Sequence, residues 1–327
     1  MLEYSVASSV DPTAWDELVA ATPSSSFFQT RLWSDVLTET LDDHEPVRAI
    51  ATDGDVLLAA IPAIRRRRGP LSVVESMPFG TYGALLRRPD APSDVADGLV
   101  TALCDAVAGP TLAQIRLVDF GGDLHGACTD FEQHACDAQV VPLDRPYDEI
   151  WSAFKPSARN KVRKAERAGV TVREASGTED FLRYHAMLEE CSKRWGSVNP
   201  FGRAFFERLA NGTDEGVQML LAEHDGVVIA GDLNLIGGRC VFNWGNVSHR
   251  DAVRLAPNSL LHARGMEEGC RRGLLTYNLG GSAGIEAVAK FKSAFRPERV
   301  TYHEYVLEKG WMRLGRRLRR SAEGAVS

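Results

Sequence analysis

Basic side chains are concentrated in two short stretches of a chain whose net charge is −6. Residues 151–175 carry seven Lys and Arg against two Glu, and residues 309–320 carry six with no acid. Helical spacing places Arg159 and Arg163 on one stripe, with Lys161 and Lys164 beside it. Because the guanidinium fork matches phosphate oxygens, this stripe predicts a phosphate-bearing ligand. The alternative is a solvated helix surface in which Glu166 pairs with Arg163.

The second basic stretch predicts an amphipathic helix near the C-terminus. Trp311, Leu314 and Leu318 fall on one side of it, and the opposite side is arginine-rich. Such a helix could pack on the body of the protein, contact an RNA backbone or lie on an anionic membrane surface. We expect packing combined with RNA contact. The candidate tRNA contacts are Arg313, Arg316, Arg317 and Arg320.

Several common chemistries lack their motifs. No HExxH and no CxxC occurs, so neither a metal site nor a disulfide framework is predicted. A GxSxG nucleophile elbow, a P-loop and a GxGxxG turn after a strand are also missing. The chain begins without a basic and apolar leader, and it has no run of 18 apolar residues. We therefore expect a cytoplasmic protein.

The length and composition fit two folded domains. A chain of 327 residues exceeds one ordinary domain, and 44% hydrophobic with 25% charged residues is typical of a globular protein. In the first half, Asp11-Pro12 predicts a helix start, and residues 47–64 predict a hairpin around Asp53-Gly54. Further helices are predicted at 29–41 and 93–108, and strands at 112–120 and 140–143.

The second half repeats this order of helices, hairpin, helix and strand. Asp144-Arg145-Pro146 predicts the boundary, which gives domains at residues 1–145 and 146–307. The predicted helices are 147–154, 157–168, 178–194, 201–211, 257–272 and 285–295. The predicted strands are 170–174, 217–223, 227–235, 239–247, 275–279 and 300–307. This is the order of an acyltransferase-type α/β domain, present twice.

The segment that would hold a CoA pyrophosphate lacks glycine. Common N-acetyltransferases place a Gly-rich turn before a helix, whose backbone amides hold the pyrophosphate. Here the corresponding residues 250–260 contain no glycine, and Pro257 removes one donor amide. The order of elements therefore fits an acyltransferase, whereas the CoA-binding turn is missing.

Four segments, spread over nearly the whole chain, have to be considered together. They are Ser26–Trp33, Pro78–Gly83, Phe154–Val170, and Tyr277–Gly281 followed by Phe291–Phe295. In this order and spacing they resemble the FemABX family of aminoacyl-tRNA-dependent transferases, within the wider FemAB-like group that has a duplicated N-acetyltransferase (GNAT) fold. Each segment is short, and the four together point to the superfamily more than to a substrate.

The resemblance implies a fold, a reaction and a set of site residues. The fold is two tandem GNAT-like domains without a coiled-coil insert, and a C-terminal helix at 308–327 packs back on the first domain. The reaction moves an amino acid from aminoacyl-tRNA, as co-substrate, to an amine of a peptidoglycan precursor or an antibiotic intermediate. No metal, redox cofactor or DNA is implied. Phe291 and Lys292 are implied in transfer, and the segment around Arg159 in phosphate contact. The other candidate binding residues are Trp33, Tyr82, Tyr277, Asn278, Gly280 and Gly281.

Two positions depart from the family pattern. The usual Tyr-Asp before the glycines is Tyr277-Asn278, so an amide replaces a carboxylate. Compact precursor-binding members have a lysine near the Gln-x-x-x-Trp helix, where this chain has Arg31.

Lys292 has a physical role to play in the implied reaction. Attack of an amine on an aminoacyl ester builds an oxyanion and an alkoxide leaving group, and an adjacent cation stabilises charge that is present mainly in the transition state. Alternatively, Lys292 is a solvated helix lysine beside Phe291 and Phe295. Two other functions remain open: an acyl-CoA-dependent N-acyltransferase, and a non-catalytic module that binds RNA or a precursor.

Overall fold

A computed structural model describes residues 2–79 and 81–309. The chain forms two compact units. Unit 1 comprises residues 2–38, 42–136 and 302–309, and unit 2 comprises residues 39–41 and 137–301. Gly80 and the C-terminal helix predicted at 308–327, with Arg313, Arg316, Arg317 and Arg320, lie outside the described residues, apart from Glu308 and Lys309.

Unit 1 contains a mostly antiparallel sheet. Its strands are β1 (Glu3–Ala7), β2 (His44–Asp53), β3 (Val56–Arg68), β4 (Leu71–Ser76), β5 (Leu86–Arg87) and β6 (Leu112–Asp119). Its helices are α1 (Pro12–Ala21), α2 (Arg31–Thr40) and α3 (Val95–Val107). Among the described residues of unit 1, the strand order is β1-β2-β3-β4-β6, β5 pairs with β3, and β4 and β6 are the parallel pair. The predicted cap of α1 is confirmed, because the Asp11 side chain accepts the Ala14 N–H.

Unit 2 repeats the arrangement. Strand β7 (Glu132–Pro142) begins in unit 1, and its residues from Asp137 onward belong to unit 2. The strands that follow are β8 (Thr171–Glu174), β9 (Val217–His224), β10 (Val227–Gly237), β11 (Cys240–Ser248) and β12 (Thr276–Asn278). The last strand, β13 (Glu298–Glu308), begins in unit 2, and its residues from Tyr302 onward belong to unit 1. The helices are α4 (Tyr147–Ala153), α5 (Pro156–Arg167), α6 (Thr178–Trp195), α7 (Arg203–Ala210), α8 (Pro257–Arg271) and α9 (Glu286–Lys292). The sheet order is β8-β9-β10-β11-β12-β7, with β11 and β12 parallel.

Each unit therefore has a strand, two helices, a three-stranded antiparallel meander, a helix and a parallel strand. The predicted α/β architecture with two tandem halves is confirmed. The unit boundaries lie at 136/137 and 301/302, rather than at the predicted 145/146 and 307/308. The reason is strand pairing: residues 140–142 of β7 pair with β12, and residues 303–308 of β13 pair with β6.

The cores follow from the apolar faces of these elements. In unit 1, Leu99 and Leu103 of α3 pack with Ile61 and Ile115 of the sheet. In unit 2, α5 buries Ala158, Val162 and Ala165, and its basic side chains lie outside that core. None of the helices within residues 2–79 and 81–309 combines the length and the apolar character that crossing a bilayer requires.

Candidate functional site

The parallel strands β11 and β12 separate in the middle of the unit 2 sheet. They pair only at Cys240–Phe242 with Thr276–Asn278, after which β11 continues to Ser248. The other edge of β11 is hydrogen-bonded to β10 along its length. β11 therefore continues through residues 243–248 beyond its last pairing with β12, and the opening where the two strands separate is the candidate site.

Lys292 is fixed where the two strands separate. Its Nζ donates to the carbonyl oxygens of Leu279 (2.5 Å) and Gly281 (2.6 Å), both just after β12. Burial lowers the pKa of this ammonium to about 8, because desolvation disfavours the charged form. The alternative of a solvated helix lysine is therefore wrong. An ammonium has three protons, so one remains for a ligand.

Gly280 makes the turn that holds Lys292. Its φ is +68°, a conformation that L side chains rarely adopt, and it lies between the two residues that accept the Lys292 protons. A Cβ at this position would lie 3.8 Å from Phe242 Cζ and 4.0 Å from Lys292 Nζ. The buried Asn278 side chain caps the turn, since its Oδ1 accepts the Gly280 N–H at 2.8 Å. The amide thus keeps the acceptor role that a carboxylate would have.

Tyr277 lies under α8 and is fully buried. Its Oη is 3.1 Å from Asp232 Oδ2, 3.2 Å from Asn234 Oδ1 and 3.2 Å from His262 Nδ1. The helix approaches closely at Gly265, where a Cβ would lie 3.0 Å from the Tyr277 ring. Because no part of Tyr277 is exposed, the prediction that it contacts substrate directly is wrong, and the residue acts within the protein.

A pocket of about 190 Å³ lies between α5 and the start of α8. It is lined by Lys161, Ser248, Val253, Ala256, Pro257, Asn258, Ser259 and Phe291. The Lys161 Nζ is 5.8 Å from the centroid of the Phe291 ring, a cation–π distance. Two predicted segments, the basic helix and Phe291-Lys292, therefore meet here.

The entrance to α8 differs from a glycine-rich turn. Residues Arg250–Leu255 form a 3-10 helix, Ala256 has a φ of +58°, and Pro257 begins α8. The structure thus leads into the helix through an alanine in the left-handed region and a proline without an N–H. This agrees with the missing CoA-binding turn noted in the sequence.

The other basic residues of α5 are spread around the helix. Arg159 is half-buried, whereas Arg163 and Lys164 are exposed. The Arg163 guanidinium lies 5.9 Å from the Trp151 ring. Glu166 forms an ion pair with Arg264 at 3.1 Å. The surface-helix alternative instead required a pair between Glu166 and Arg163. Of the four predicted phosphate ligands, Lys161 is the one that lines the pocket.

The two aromatic candidates in unit 1 belong to its core. Trp33 is fully buried, with ring centroids 5.9 Å and 5.5 Å from Phe27 and Phe28. Tyr82 is 7% exposed and packs on Phe120 at 4.4 Å and on Tyr302 at 5.2 Å. Their prediction as ligand-binding residues is therefore corrected, because their large apolar surfaces are used in packing.

Sequence reasoning missed a set of buried and half-buried polar residues around Tyr277. They are Asp232 and Asn234 of β10, Asn243 and Asn246 of β11, and His262 of α8. The available signal was an Asp and an Asn within the otherwise apolar run of β10. Among the described residues, no group of His, Cys, Asp and Glu is arranged to hold a metal ion.

Comparison with known proteins defines the class of the fold. Residues 152–293 match the family described as acetyltransferase (GNAT) domain. No curated protein matches the chain. The predicted FemABX-like tandem GNAT fold is confirmed by solved structures that cover both units, each only 13% identical to this chain.

Three of these structures illustrate the likeness. FemX aligns over 95% of this chain and 99% of its own, with a TM-score of 0.71. L-PGS from Bacillus licheniformis aligns over 92% of both chains, with a TM-score of 0.56. A tandem GNAT protein from the clavulanic acid biosynthesis pathway, solved without AcCoA, aligns over 94% and 98%, with a TM-score of 0.55. The chain has a GNAT-type acyltransferase fold.

Proposed function

We propose that the protein is an aminoacyltransferase that moves an amino acid from aminoacyl-tRNA to an amine and forms an amide bond. The observation that carries this proposal is the anchored, half-buried Lys292 at the opening between β11 and β12. The resemblance of the four sequence segments to the FemABX family supplies the donor class. The acceptor is a peptidoglycan precursor or an intermediate of peptide or antibiotic biosynthesis.

The reaction places specific demands on the site. The acceptor nitrogen bonds to the ester carbonyl carbon, the carbon–oxygen bond to the ribose breaks, and the amine proton leaves while the ribose oxygen gains one. With two protons on backbone carbonyls, Lys292 has one N–H for the oxyanion or for the departing oxygen. A pKa of about 8 makes proton donation near neutral pH effective.

The pocket beside Phe291 suits the other end of the donor. Lys161 supplies a positive charge at its rim, and the face of Phe291 supplies a flat apolar surface. Phosphate oxygens bind to cations, and nucleic acid bases stack on aromatic rings, so both parts of an RNA 3′ end have partners here. No metal or redox cofactor enters the proposed reaction.

A second candidate is acyl-CoA-dependent N-acyl transfer on the same fold. The match of residues 152–293 to GNAT acetyltransferase domains favours it. Against it stands the glycine-free entrance to α8, where Ala256 and Pro257 replace the amide-rich turn. Acyl-CoA would therefore have to bind without a glycine-rich turn at this helix start.

One experiment separates the candidates. The protein is incubated with a charged tRNA pool and a panel of amines, with and without prior RNase treatment, and CoA binding is measured by calorimetry. We expect aminoacylated product that RNase abolishes, together with weak or absent CoA binding. Tight CoA binding with RNase-insensitive turnover would favour acyl-CoA. RNA binding without turnover of either donor would favour the non-catalytic module.

A further inference from the structure

A chain of buried hydrogen bonds runs beneath α8 from β11 to the helix itself. Asp232 is fully buried, and its Oδ1 accepts from Asn243 Nδ2 (2.6 Å) and Asn246 Nδ2 (2.9 Å). Its Oδ2 accepts from Tyr277 Oη at 3.1 Å. Among the described residues, the donors to this carboxylate are side chains. A buried carboxylate is costly unless it is hydrogen-bonded, so these three bonds, with His262 Nδ1 3.8 Å from Oδ2, hold Asp232 in a defined position.

A β-bulge builds the donor pair. Residues 243 and 246 would point to opposite faces of a regular strand, because side chains alternate. The register between β10 and β11 shifts at Leu233/Asn234: Leu233 pairs with Gly245 and Asn234 with Asn243, so β11 has one extra residue at this point. The extra residue returns Asn246 to the face of Asn243, so both amides reach Asp232.

The direction of the hydrogen bonds follows from the number of protons. Tyr277 has a single hydroxyl proton, and both Asp232 Oδ2 and Asn234 Oδ1 are acceptors beside it. The Tyr277 oxygen must therefore accept from His262, whose Nδ1 lies 3.2 Å away. This assigns the proton of neutral His262 to Nδ1. Burial lowers the pKa of His262, which favours the neutral ring.

This chain connects the two segments that hold Lys292. Tyr277 lies on β12, two residues before Leu279, whose carbonyl accepts a Lys292 proton. His262 packs on Phe291, the residue before Lys292, with ring centroids 5.5 Å apart. It also packs on Phe295 at 5.4 Å. One side of the chain therefore fixes the acceptor turn, and the other fixes the helix that carries the ammonium.

We propose that Tyr277, His262 and Asp232 are positioning residues for Lys292, which set the ammonium against the turn after β12 and so aim its remaining N–H. This inference rests on the proposed function for its catalytic consequence. The placement of the Lys292 ammonium does not depend on which donor is used, so that part of the inference holds for aminoacyl-tRNA and for acyl-CoA. Small displacements of a catalytic group lower the reaction rate strongly, and a displacement of about 1 Å can reduce the rate by about 100-fold.

The test compares two buried tyrosines of unit 2. Tyr277→Phe removes a hydroxyl with three partners. The control, Tyr184→Phe, removes a fully buried hydroxyl with no hydrogen-bond partner among the described residues. A second variant, Asp232→Asn, keeps the shape of the side chain but replaces one acceptor oxygen with an N–H group that faces a hydrogen-bond donor. This variant tests the proposal if Tyr277→Phe folds poorly. For each, kcat and KM are measured, and the pKa of Lys292 is obtained from the pH dependence of amine labelling, read by peptide mass spectrometry.

We expect Tyr277→Phe and Asp232→Asn to lower kcat by about 10- to 100-fold with KM largely kept. We expect the labelling pKa of Lys292 to rise from about 8 toward its ordinary 10.5. Tyr184→Phe should change neither. Unchanged labelling and unchanged kcat in both folded variants would overturn the proposal. If no aminoacyl transfer is found at all, the labelling shift still decides the positioning claim, so the two proposals fail separately.

Discussion

Units 1 and 2 are built in the same order but differ where their parallel strands meet. In unit 1, β4 pairs with β6 from Ser72 to Ser76, the end of the strand. In unit 2, β11 pairs with β12 over only three residues and then continues for six more. The parallel pair is therefore closed in unit 1 and open in unit 2. Under the proposed function, this opening is where the unit 2 sheet accepts its ligand.

The side chains around the two strand pairs follow this difference. The unit 1 candidates Trp33 and Tyr82 are packed among aromatic rings. Those of unit 2 include Lys292, which is anchored to backbone carbonyls, and Lys161, which lines a pocket. Under the proposed function, the duplicated fold therefore uses these positions for packing in unit 1 and for chemistry in unit 2.

Two buried carboxylates make the same point. Asp119, at the end of β6, accepts three backbone N–H groups, from Gly122, Asp123 and Leu124. Asp232 in unit 2 accepts from side chains instead. The backbone donors tie Asp119 to the loop that follows β6, whereas the side-chain donors connect Asp232 to β11 and Tyr277. Asp119 thus stabilises the local fold, whereas Asp232 positions functional groups under the proposal made above.

The largest expected effect is at Lys292. Lys292→Met should lower kcat by about 100-fold, the usual loss for one oxyanion donor, and should leave the melting temperature nearly unchanged. Methionine keeps the apolar stem and removes the charge. Steady-state kinetics and thermal denaturation measure both quantities.

The matched control is Lys290→Met, in the same helix, where the side chain is exposed. It should keep full activity. If Lys292→Met also keeps normal turnover, the opening in unit 2 is not the transfer site, and the contrast between the units loses its functional meaning.

A smaller effect concerns the basic segments of the two units. Unit 1 also has an arginine run, in which Arg66 and Arg67 pair with Glu75 and Glu45, whereas Arg68 is exposed. Lys161→Gln should weaken tRNA binding severalfold and reduce the slope of log affinity against log salt by about 0.7–0.9, the loss of one phosphate contact. Arg68→Gln should change neither. Fluorescence anisotropy at several salt concentrations measures both. Equal losses in the two variants would point to diffuse electrostatic binding.

The sequence could predict most of the elements but not how the site is assembled. The hairpin around Asp53-Gly54 and helix α5 have clear turn and amphipathic signals. β4 has none, because it is buried almost throughout and lacks alternation. The contact of Asn243 and Asn246 with Asp232 depends on a bulge that no local pattern announces. Lys292 was found through the resemblance, whereas its anchoring depends on a turn 11 residues away.

The last prediction exchanges the capping residues at the ends of β6 and β12. Both Asp119 and Asn278 are the final residue of their parallel strand, are about 1% exposed, and accept backbone N–H groups of the following turn. Asn278→Asp keeps the acceptor for the Gly280 N–H, so the plateau of kcat should change little. Burial lowers the pKa of Lys292, so the wild-type ammonium is lost, and kcat falls, as pH rises through about 8. A carboxylate beside Gly280 would favour the charged ammonium and move this fall upward by about one pH unit.

The reciprocal variant, Asp119→Asn, should act on stability alone. It replaces one acceptor oxygen with an N–H that faces backbone donors, which should lower the free energy of unfolding by about 1–3 kcal/mol. The melting temperature should therefore fall, while kcat and its pH profile stay as in the wild type. Kinetics from pH 6 to 10 and thermal denaturation of both variants measure these outcomes. If Asn278→Asp instead lowers stability without moving the pH profile, the cap in unit 2 has only the structural role of its counterpart in unit 1. The two strand ends would then differ in pairing but not in chemistry.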